Sequence, residues 1–246
     1  MSGREGAARG GGLPSWLRAP LYFACKHASL ALLTLLYRLR AHGKENIPRG
    51  GALLVANHQS LMDPPILGVH VPGQYHPLAR RTLFDVPLLG PLISNLNAIP
   101  VSQDGTPDRR AIQTCIERLR AGGVVAIYPE GSRTWDGEIH PFATGAALIA
   151  RRGGKPIVPA AILGAFEAWP RTSRLPRAWG RVRVVYGEPI PPERFAGLRS
   201  EEATALIEAE VRRLFERERA RGAHAPTAGA EGTAGGRYPA GPIPGP

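Results

Sequence analysis

Cysteine is scarce in this chain of 246 residues, which contains only Cys25 and Cys115. Two thiols are too few for a disulfide framework and form no metal-ligand spacing, so the sequence excludes a disulfide-stapled miniature domain and a cysteine-based metal site. A reducing compartment is the simpler interpretation, and we expect both thiols to be small buried hydrophobic side chains. A chain of this length buries a large core without such cross-links.

Long apolar runs are also lacking. The run from Ala28 to Tyr37 is well short of the ~20 residues that cross a bilayer. Basic residues flank it and no small-residue cleavage site follows, which argues against a removable signal peptide. We predict instead an amphipathic helix over residues 28–40 that either lies in a membrane interface or packs on the protein's own core. Its apolar face consists of Leu30, Leu33, Leu36 and Tyr37.

Acidic residues are outnumbered, with 20 Asp and Glu against 31 Lys and Arg, and the net charge is +11. Such an excess indicates an acidic partner: nucleic acid, an anionic membrane or a phosphorylated substrate. The excess is greatest over residues 1–50, where eight basic residues stand against two acidic ones. Aromatic residues make up only 7% of the chain and no nucleic-acid motif is recognisable, so we expect no nucleic-acid partner and favour an anionic membrane surface.

Segments of low complexity at both ends frame the region that can fold. Residues 222–246 are rich in Gly, Pro and Ala and lack the large apolar side chains of a core, and residues 1–14 are rich in Gly, Ala and Arg. We predict disorder in both. Between them we predict an amphipathic, membrane-associating helical segment over residues 15–45 and a single domain over residues 46–221.

The central region alternates between apolar strands and amphipathic helices, which predicts an α/β fold: a single domain with a mostly parallel central sheet flanked by helices. The predicted strands are 52–56, 98–101, 124–128, 156–163 and 182–186. The predicted helices are one that has Thr106 as its cap and Pro107 as its first residue, one over 142–152 and one over 200–221. Ligands gather beyond the carboxyl ends of such strands, where two polar clusters, "NHQSLMD" and "PEGSRT", follow strands.

The first cluster places His58 and Asp63 five positions apart. A neutral imidazole with an unperturbed pKa near ~6.5 accepts a proton from a substrate hydroxyl, and an aspartate on the other ring nitrogen fixes the tautomer and stabilises the imidazolium. A bend after His58 would bring Asp63 within hydrogen-bond reach. The alternative is a loop histidine with Asp63 capping the next helix. Ser60 is a weaker candidate nucleophile because it lacks the G-x-S-x-G context.

The second cluster combines an arginine, a glycine and a glutamate. Arg133 offers a planar fork of donors that suits phosphate oxygens, and Gly131 lets the backbone approach a ligand closely. Glu130 either accepts hydrogen bonds from a polyol or holds Arg133 in place. The alternative is a turn with a surface ion pair of little energetic value.

Both clusters resemble signatures of the PlsC-like glycerolipid acyltransferases, whose best known members act on 1-acylglycerol 3-phosphate. "NHQSLMD" is similar to the family's NHxSxxD (HX4D) motif and "YPEGSRT" to its FPEGTRS motif, and the similarity extends over satellite blocks from residue 28 to residue 214. The resemblance implies that His58 is the general base and Asp63 its orienting partner. The substrate-binding residues that it implies are Asn57, Ser60, Arg80, Arg81, Glu130, Gly131, Ser132 and Arg133.

The implied activity is that of an O-acyltransferase of phospholipid biosynthesis. It moves a fatty acyl group from acyl-CoA or acyl carrier protein (acyl-ACP) to a lysophospholipid hydroxyl, and the expected product from 1-acylglycerol 3-phosphate is phosphatidate. No cofactor and no metal are expected, and the expected location is the cytoplasmic side of the cell membrane, as a peripheral or monotopic protein. Transfer to another lipid or polyol, thioester hydrolysis and a non-enzymatic membrane-binding role are the alternatives.

One block departs from the family pattern GxxPVxR, since Asn97 stands at its glycine and Gln103 at its arginine. Glutamine retains a donor but lacks the charge that makes phosphate binding strong. The sequence therefore leaves two possibilities: another arginine compensates, or the acceptor is not a simple glycerol phosphate. The candidate arginines are Arg80, Arg81, Arg109 and Arg133.

Overall fold

A seven-stranded sheet forms the centre of the computed structural model, which describes residues 14–102 and 108–223. The strands are β1 (Arg40–His42), β2 (Ala52–Ala56), β3 (Tyr75–Arg80), β4 (Ile99–Val101), β5 (Val124–Ile127), β6 (Ile157–Leu163) and β7 (Arg183–Tyr186). Their order is β1-β7-β6-β2-β5-β3-β4, and each neighbouring pair is parallel except β6 with β7. The predicted α/β fold with a mostly parallel sheet is confirmed.

Helices cover both faces of the sheet. They are α1 (Ser15–Tyr37), α2 (Asp63–Gly68), α3 (Leu89–Asn95), α4 (Arg109–Arg120), α5 (Ala146–Gly153), α6 (Ala165–Ala168) and α7 (Ser200–Ala223). Side chains of α4, α5 and α7 share one apolar core with Leu53 and Val55 of β2. Those of α1 and α2 share a second core with Leu54 of the same strand. This alternation follows from the two-residue period of a strand, and it explains why β2 is apolar at every position.

Helix α1 differs from the predicted helix over residues 28–40. It begins at Ser15, contains Pro20 and ends at Tyr37, where Arg38 takes a left-handed cap conformation with φ of 46°. Its apolar side chains lie on two sides rather than one. The buried ones are Tyr22, Leu33 and Tyr37, and the exposed ones are Trp16, Phe23, Leu32 and Leu35. By length and composition alone, the 22 residues of Trp16–Tyr37 suffice to cross a bilayer, so the sequence-based estimate of the run was too short.

Several element boundaries also differ from prediction. Strand β1 lies inside the segment 15–45 that was predicted to be helical, and it pairs with β7, so the sheet begins before residue 46. The N-cap of α4 is Asp108, whose side chain accepts a hydrogen bond from the N–H of Ala111. The predicted cap Thr106 and its neighbour Pro107 lie outside the described residues, as do residues 1–13 and 224–246 of the two predicted tails.

The last two predicted helices differ from prediction mainly at one end, α5 at its start and α7 at its end. Helix α5 begins at Ala146 rather than 142 because Gly145 has φ of 136°, which no helix continues. Helix α7 begins at Ser200 as predicted and continues to Ala223, two residues into the predicted disordered tail and beyond Phe215, its last buried apolar side chain.

Candidate active site

The two polar loops meet at the carboxyl edge of the sheet. Strands β2 and β5 are parallel neighbours with Val55 beside Ile127, so the segments that follow them leave the sheet on the same side. The backbone N–H of Thr134 donates to the carbonyl oxygen of His58 at 2.8 Å, which joins the loops directly. His58 and Arg133 therefore lie at one edge of the molecule and belong to neighbouring loops.

His58 and Asp63 form a close pair. His58 Nδ1 and Asp63 Oδ2 are 2.7 Å apart, and the same carboxylate oxygen accepts the backbone N–H groups of Gln59 at 2.6 Å and Ser60 at 2.7 Å. The loop thus wraps around the buried carboxylate, which explains why five positions separate the two residues. Because an ionised carboxylate can only accept a hydrogen bond, the neutral imidazole carries its hydrogen on Nδ1 and leaves Nε2 as the basic atom.

Asp63 does not act as a helix cap. It is itself the first residue of α2, whose N-cap position is occupied by Met62 without a side-chain hydrogen bond. Its Oδ1 atom is buried and has no hydrogen-bond partner in the part of the chain that the structure describes. A buried carboxylate held in this way is suited to stabilising a cation that forms beside it, such as an imidazolium at His58.

Tyr128, the residue after β5, stacks on the imidazole. The ring centroids of His58 and Tyr128 are 4.4 Å apart and the ring planes differ by 20°. The side chain of His58 remains 20% exposed, so one edge of the ring is open to a substrate. Asp63 fixes one edge of the imidazole and Tyr128 covers one face, which together set the direction of Nε2.

Glu130 ties the two loops together. Its Oε1 accepts the backbone N–H of His58 at 2.7 Å and its Oε2 accepts that of His140 at 3.0 Å. Burial raises the pKa of Glu130 above its usual value, although the two N–H groups oppose the shift. Both carboxylate oxygens are thus engaged by backbone, and no ion pair joins Glu130 to Arg133 among the described residues.

Asn57 and Ser60 anchor the first loop on its other side. The side chain of Asn57 exchanges two hydrogen bonds with the backbone of Ile162, donating at 2.9 Å and accepting at 2.8 Å. This pair extends the ladder between β2 and β6 beyond the end of β2. The hydroxyl of Ser60 donates to the carbonyl oxygen of Trp169 at 3.0 Å. Both buried residues are engaged with backbone, as supports of the loop require.

Three arginines, Arg133, Arg171 and Arg80, lie near the His58–Asp63 pair. The half-buried Arg133 has its pKa lowered first by burial and then by the positive charges of Arg171 and Arg80, whereas Asp63 raises it. Arg80 is the last residue of β3, so it stands at the same edge of the sheet as the two loops. None of the three forms an ion pair with a carboxylate in residues 14–102 and 108–223. Their mutual repulsion favours an anion at this edge.

The remaining predicted site residues have more varied surroundings. Gly131 has φ of 72° in the turn after β5, and Ser132 follows it, half-buried. Arg81 donates to Asp108 and to Ser102, both at 3.3 Å, so its charge is already paired. Asn97 has φ of 64°, a left-handed conformation that glycine adopts freely and asparagine tolerates. This explains how asparagine can stand where the pattern GxxPVxR has its glycine. Gln103 lies outside the described residues.

The sequence did not single out Tyr128, Trp135 or Arg171 as site residues. Tyr128 is adjacent to the second cluster, and its position directly before "PEG" was the available signal. Arg171 is 38 residues from Arg133 along the chain, and nothing in its local sequence distinguishes it from other surface arginines. In the part of the chain that the structure describes, no three His, Cys, Asp or Glu side chains are grouped as metal ligands.

Comparisons with known proteins found a matching family model, similar sequences and a similar solved structure. Residues 38–163 match the family model described as Acyltransferase. A 1-acyl-sn-glycerol-3-phosphate acyltransferase of Bacillus subtilis is 33% identical over 201 residues, which cover 80% of this chain and 97% of that protein. A chloroplastic enzyme of the same name from Brassica napus is 31% identical over 63% of this chain and 45% of its own length. The crystal structure of the 1-acyl-sn-glycerophosphate acyltransferase PlsC from Thermotoga maritima superposes with a TM-score of 0.69 at 29% identity, covering 84% of this chain and 81% of that one.

Proposed function

The chain belongs to the acyltransferase family and is an O-acyltransferase, and we propose that it transfers a fatty acyl group from an acyl thioester to the free hydroxyl of 1-acylglycerol 3-phosphate, giving phosphatidate. The observation that carries the proposal is the His58–Asp63 pair with its basic Nε2 free of the carboxylate, beside a group of arginines that lacks carboxylate partners. A base and a phosphate-binding group are the two features that this reaction requires.

The reaction proceeds by direct transfer. His58 Nε2 takes the proton of the acceptor hydroxyl as its oxygen attacks the thioester carbonyl, and Asp63 stabilises the resulting imidazolium through Nδ1. The tetrahedral intermediate collapses, the carbon–sulfur bond breaks, and the imidazolium returns its proton to the departing thiolate. The products are an ester and a free thiol. No acyl-enzyme forms, in keeping with the engagement of Ser60 by Trp169.

Arg133 and Arg80 bind the phosphate of the acceptor in this proposal. Guanidinium groups match phosphate oxygens with paired donors, and both arginines lack a carboxylate partner among the described residues. Gly131 and Ser132 let the backbone approach the acceptor, while Asn57, Ser60 and Glu130 hold the loops. Arg81, whose charge is paired with Asp108, is assigned no contact with the phosphate. The acyl donor is acyl-CoA or acyl-ACP, and the reaction needs no other cofactor.

The acceptor reaches the site from a membrane surface. Exposed apolar side chains lie on α1 and around α3, two helices in contact with each other. They are Trp16, Phe23, Leu32, Leu35, Val86, Leu88, Leu89 and Leu92. We place them in the cytoplasmic leaflet of the cell membrane, with the basic residues of the chain on anionic lipid. Co-sedimentation with vesicles containing phosphatidylglycerol tests this: binding should persist partly at high salt and fall strongly in a Leu35→Glu/Leu88→Glu variant, and equal binding of that variant would contradict it.

A direct assay tests the reaction. The protein is incubated with labelled acyl-CoA or acyl-ACP and 1-acylglycerol 3-phosphate, and the expected labelled product is phosphatidate. His58→Ala should lower the rate by about 10²- to 10⁴-fold without loss of fold. His140→Ala is the matched control, since His140 also pairs with an aspartate, Asp136, but on an exposed loop. Full activity of His58→Ala would remove the proposed base, and fatty acid release without acceptor would indicate a hydrolase instead.

A further inference from the structure

Arg171 reaches the candidate site from outside both sequence motifs. It lies in the loop after α6, and its Nη1 donates to the backbone carbonyl of Arg133 at 3.3 Å. Its guanidinium carbon lies 3.9 Å from the centroid of the Trp135 ring. The side chain is therefore held by two neighbours of the second motif, although it comes from a distant part of the chain.

The loop that carries Arg171 is fixed to the loop of the catalytic pair. Ser60 donates to the carbonyl oxygen of Trp169, and the backbone N–H of Phe166 donates to the side-chain oxygen of Gln59 at 3.4 Å. The amide nitrogen of Gln59 in turn donates to Gly137 at 3.0 Å. The side chains of Gln59 and Ser60 thus bind the backbone of two other segments, and these hydrogen bonds set the position of the Arg171 loop relative to His58.

The stacked arrangement leaves Arg171 with donors to offer. Trp135 covers one face of the guanidinium but is itself 59% exposed, so this stack is a surface feature open to ligands. One N–H donor is used on the carbonyl of Arg133, and a guanidinium has five. Stacking fixes the plane of the fork, which reduces the entropy lost when it binds an anion.

Arg133 and Arg171 are like charges held together. Arg171 donates a hydrogen bond to the backbone carbonyl of Arg133, and burial first and then the positive charge of Arg171 lower the pKa of Arg133. Neither forms an ion pair with a carboxylate in the part of the chain that the structure describes. A dianionic group between the two would relieve this repulsion.

We propose that Arg171, held against Trp135, binds the phosphate monoester of the acceptor together with Arg133 and so determines the preference for phosphorylated acceptors. This inference rests on the proposed function. Gln103 stands where the family pattern has a phosphate-binding arginine. In this proposal Arg171 supplies that positive charge, although it lies outside the family pattern. Phosphate groups also occur on coenzyme A, so the shared chemistry is a phosphate ester, and the experiment must separate acceptor from donor.

The experiment measures binding and kinetics in parallel. Isothermal titration calorimetry with a short-chain 1-acylglycerol 3-phosphate gives the Kd, and steady-state assays give kcat and the KM values of acceptor and acyl-CoA. In Arg171→Ala the Kd and acceptor KM should rise about 10- to 100-fold, as expected for loss of a charge-assisted hydrogen bond, with little change in kcat. Arg171→Lys should lie between this variant and the wild type because it keeps the charge without the fork.

Two further variants separate phosphate binding by Arg171 from its support of the Arg133 backbone and from a general charge effect. Arg171→Gln keeps a donor for the carbonyl of Arg133 but has no charge, so it should bind as weakly as Arg171→Ala. Arg174→Ala removes an exposed positive charge three residues away and should bind like the wild type. With the phosphate-free 1-acylglycerol as acceptor, Arg171→Ala and the wild type should show equal rates.

Several results would overturn the inference. Wild-type affinity in Arg171→Gln would make Arg171 a support for the Arg133 loop only, and equal weakening by Arg174→Ala would make the effect one of general charge. A rise in the KM of acyl-CoA alone would assign Arg171 to the donor. If the wild type binds 1-acylglycerol 3-phosphate but does not acylate it, the proposed function fails while the calorimetric comparison still decides the role of Arg171. If the wild type does not bind it, both fail.

Discussion

Replacement of Asp63 by asparagine isolates the charge of the proposed catalytic pair, His58 and Asp63, from its geometry. All three donors around Asp63, from His58, Gln59 and Ser60, meet at the single atom Oδ2. An asparagine whose oxygen takes that place keeps all three hydrogen bonds and the imidazole tautomer. Its amide nitrogen then takes the place of Oδ1, which is buried and unpartnered in the part of the chain that the structure describes. The variant therefore loses the negative charge and keeps the hydrogen bonds of the pair, but it places an amide nitrogen where no acceptor is present among the described residues.

The expected loss of rate follows from this geometry. Two unit charges about 4 Å apart attract each other by about 4 kcal/mol at an effective dielectric constant near 20, which is an upper limit because the amide dipole retains part of the effect. Since each 1.36 kcal/mol is a factor of ten in rate, kcat should fall by about 10²- to 10³-fold, with an unchanged acceptor KM. The buried amide nitrogen should also lower the free energy of unfolding by about 1–3 kcal/mol.

The assay combines kinetics with nuclear magnetic resonance of the imidazole nitrogens. In both proteins the hydrogen of neutral His58 should reside on Nδ1. Asp136→Asn, in the exposed pair with His140, is the matched control and should change kcat by less than about threefold, as expected for an exposed pair. A kcat of Asp63→Asn within threefold of the wild type would refute stabilisation of the imidazolium by Asp63, and an Nε2–H tautomer in the variant would refute the retained hydrogen bonds.

Two further predictions concern residues around the pair. Tyr128→Ala removes the ring whose centroid lies 4.4 Å from that of His58, and it should lower kcat by about 2- to 10-fold. This range corresponds to aromatic pairing energies of about 0.5–1.5 kcal/mol. Tyr128→Phe keeps the ring and should match the wild type, whereas an equal loss in both variants would assign the effect to the hydroxyl. Glu130→Gln should destabilise the protein in urea unfolding at pH 7 by about 1–3 kcal/mol, because an amide nitrogen then faces the backbone N–H of His58 or His140. Burial raises the pKa of Glu130 in the folded protein, so ionisation of its carboxyl group opposes folding. The contribution of Glu130 to stability is greatest below the unfolded-state pKa and falls as the pH rises through the higher folded-state pKa. The stability of the wild type relative to Glu130→Gln should therefore decrease from pH 4 to pH 7, and an increase would contradict the raised pKa.

Local signals in the sequence were sufficient to predict the central strands and the contact between His58 and Asp63. Strands β2, β5 and β6 are buried on both faces, so each is a continuous apolar run that stands out in the sequence. His58 and Asp63 are close in the chain, and the loop between them supplies the hydrogen bonds that close the pair. The order of strands and loops then predicted that the two motifs lie at the same edge.

Other elements gave weaker local signals. Helix α1 was predicted too short because Pro20 and Lys26 interrupt its apolar pattern, although the helix continues through both. Strand β3 contains Pro77 and is only half-buried over much of its length, so it lacks both a continuous apolar run and a strict alternation. For these elements, contacts with the rest of the fold outweigh local preference.

The sequence by itself determined which chemical groups the chain possesses and which of them are near each other along the chain: an imidazole with its carboxylate, and an arginine after a glycine turn. Only the tertiary structure decided which distant groups join them. Tyr128 on the ring of His58, Glu130 across both loops and Arg171 beside Arg133 depend on strand order and on loops that cross the sheet edge. These contacts join residues that are 38 to 72 positions apart along the chain. Their closeness in space is set by the order of the strands in the sheet, so no periodicity or spacing in the sequence indicates it.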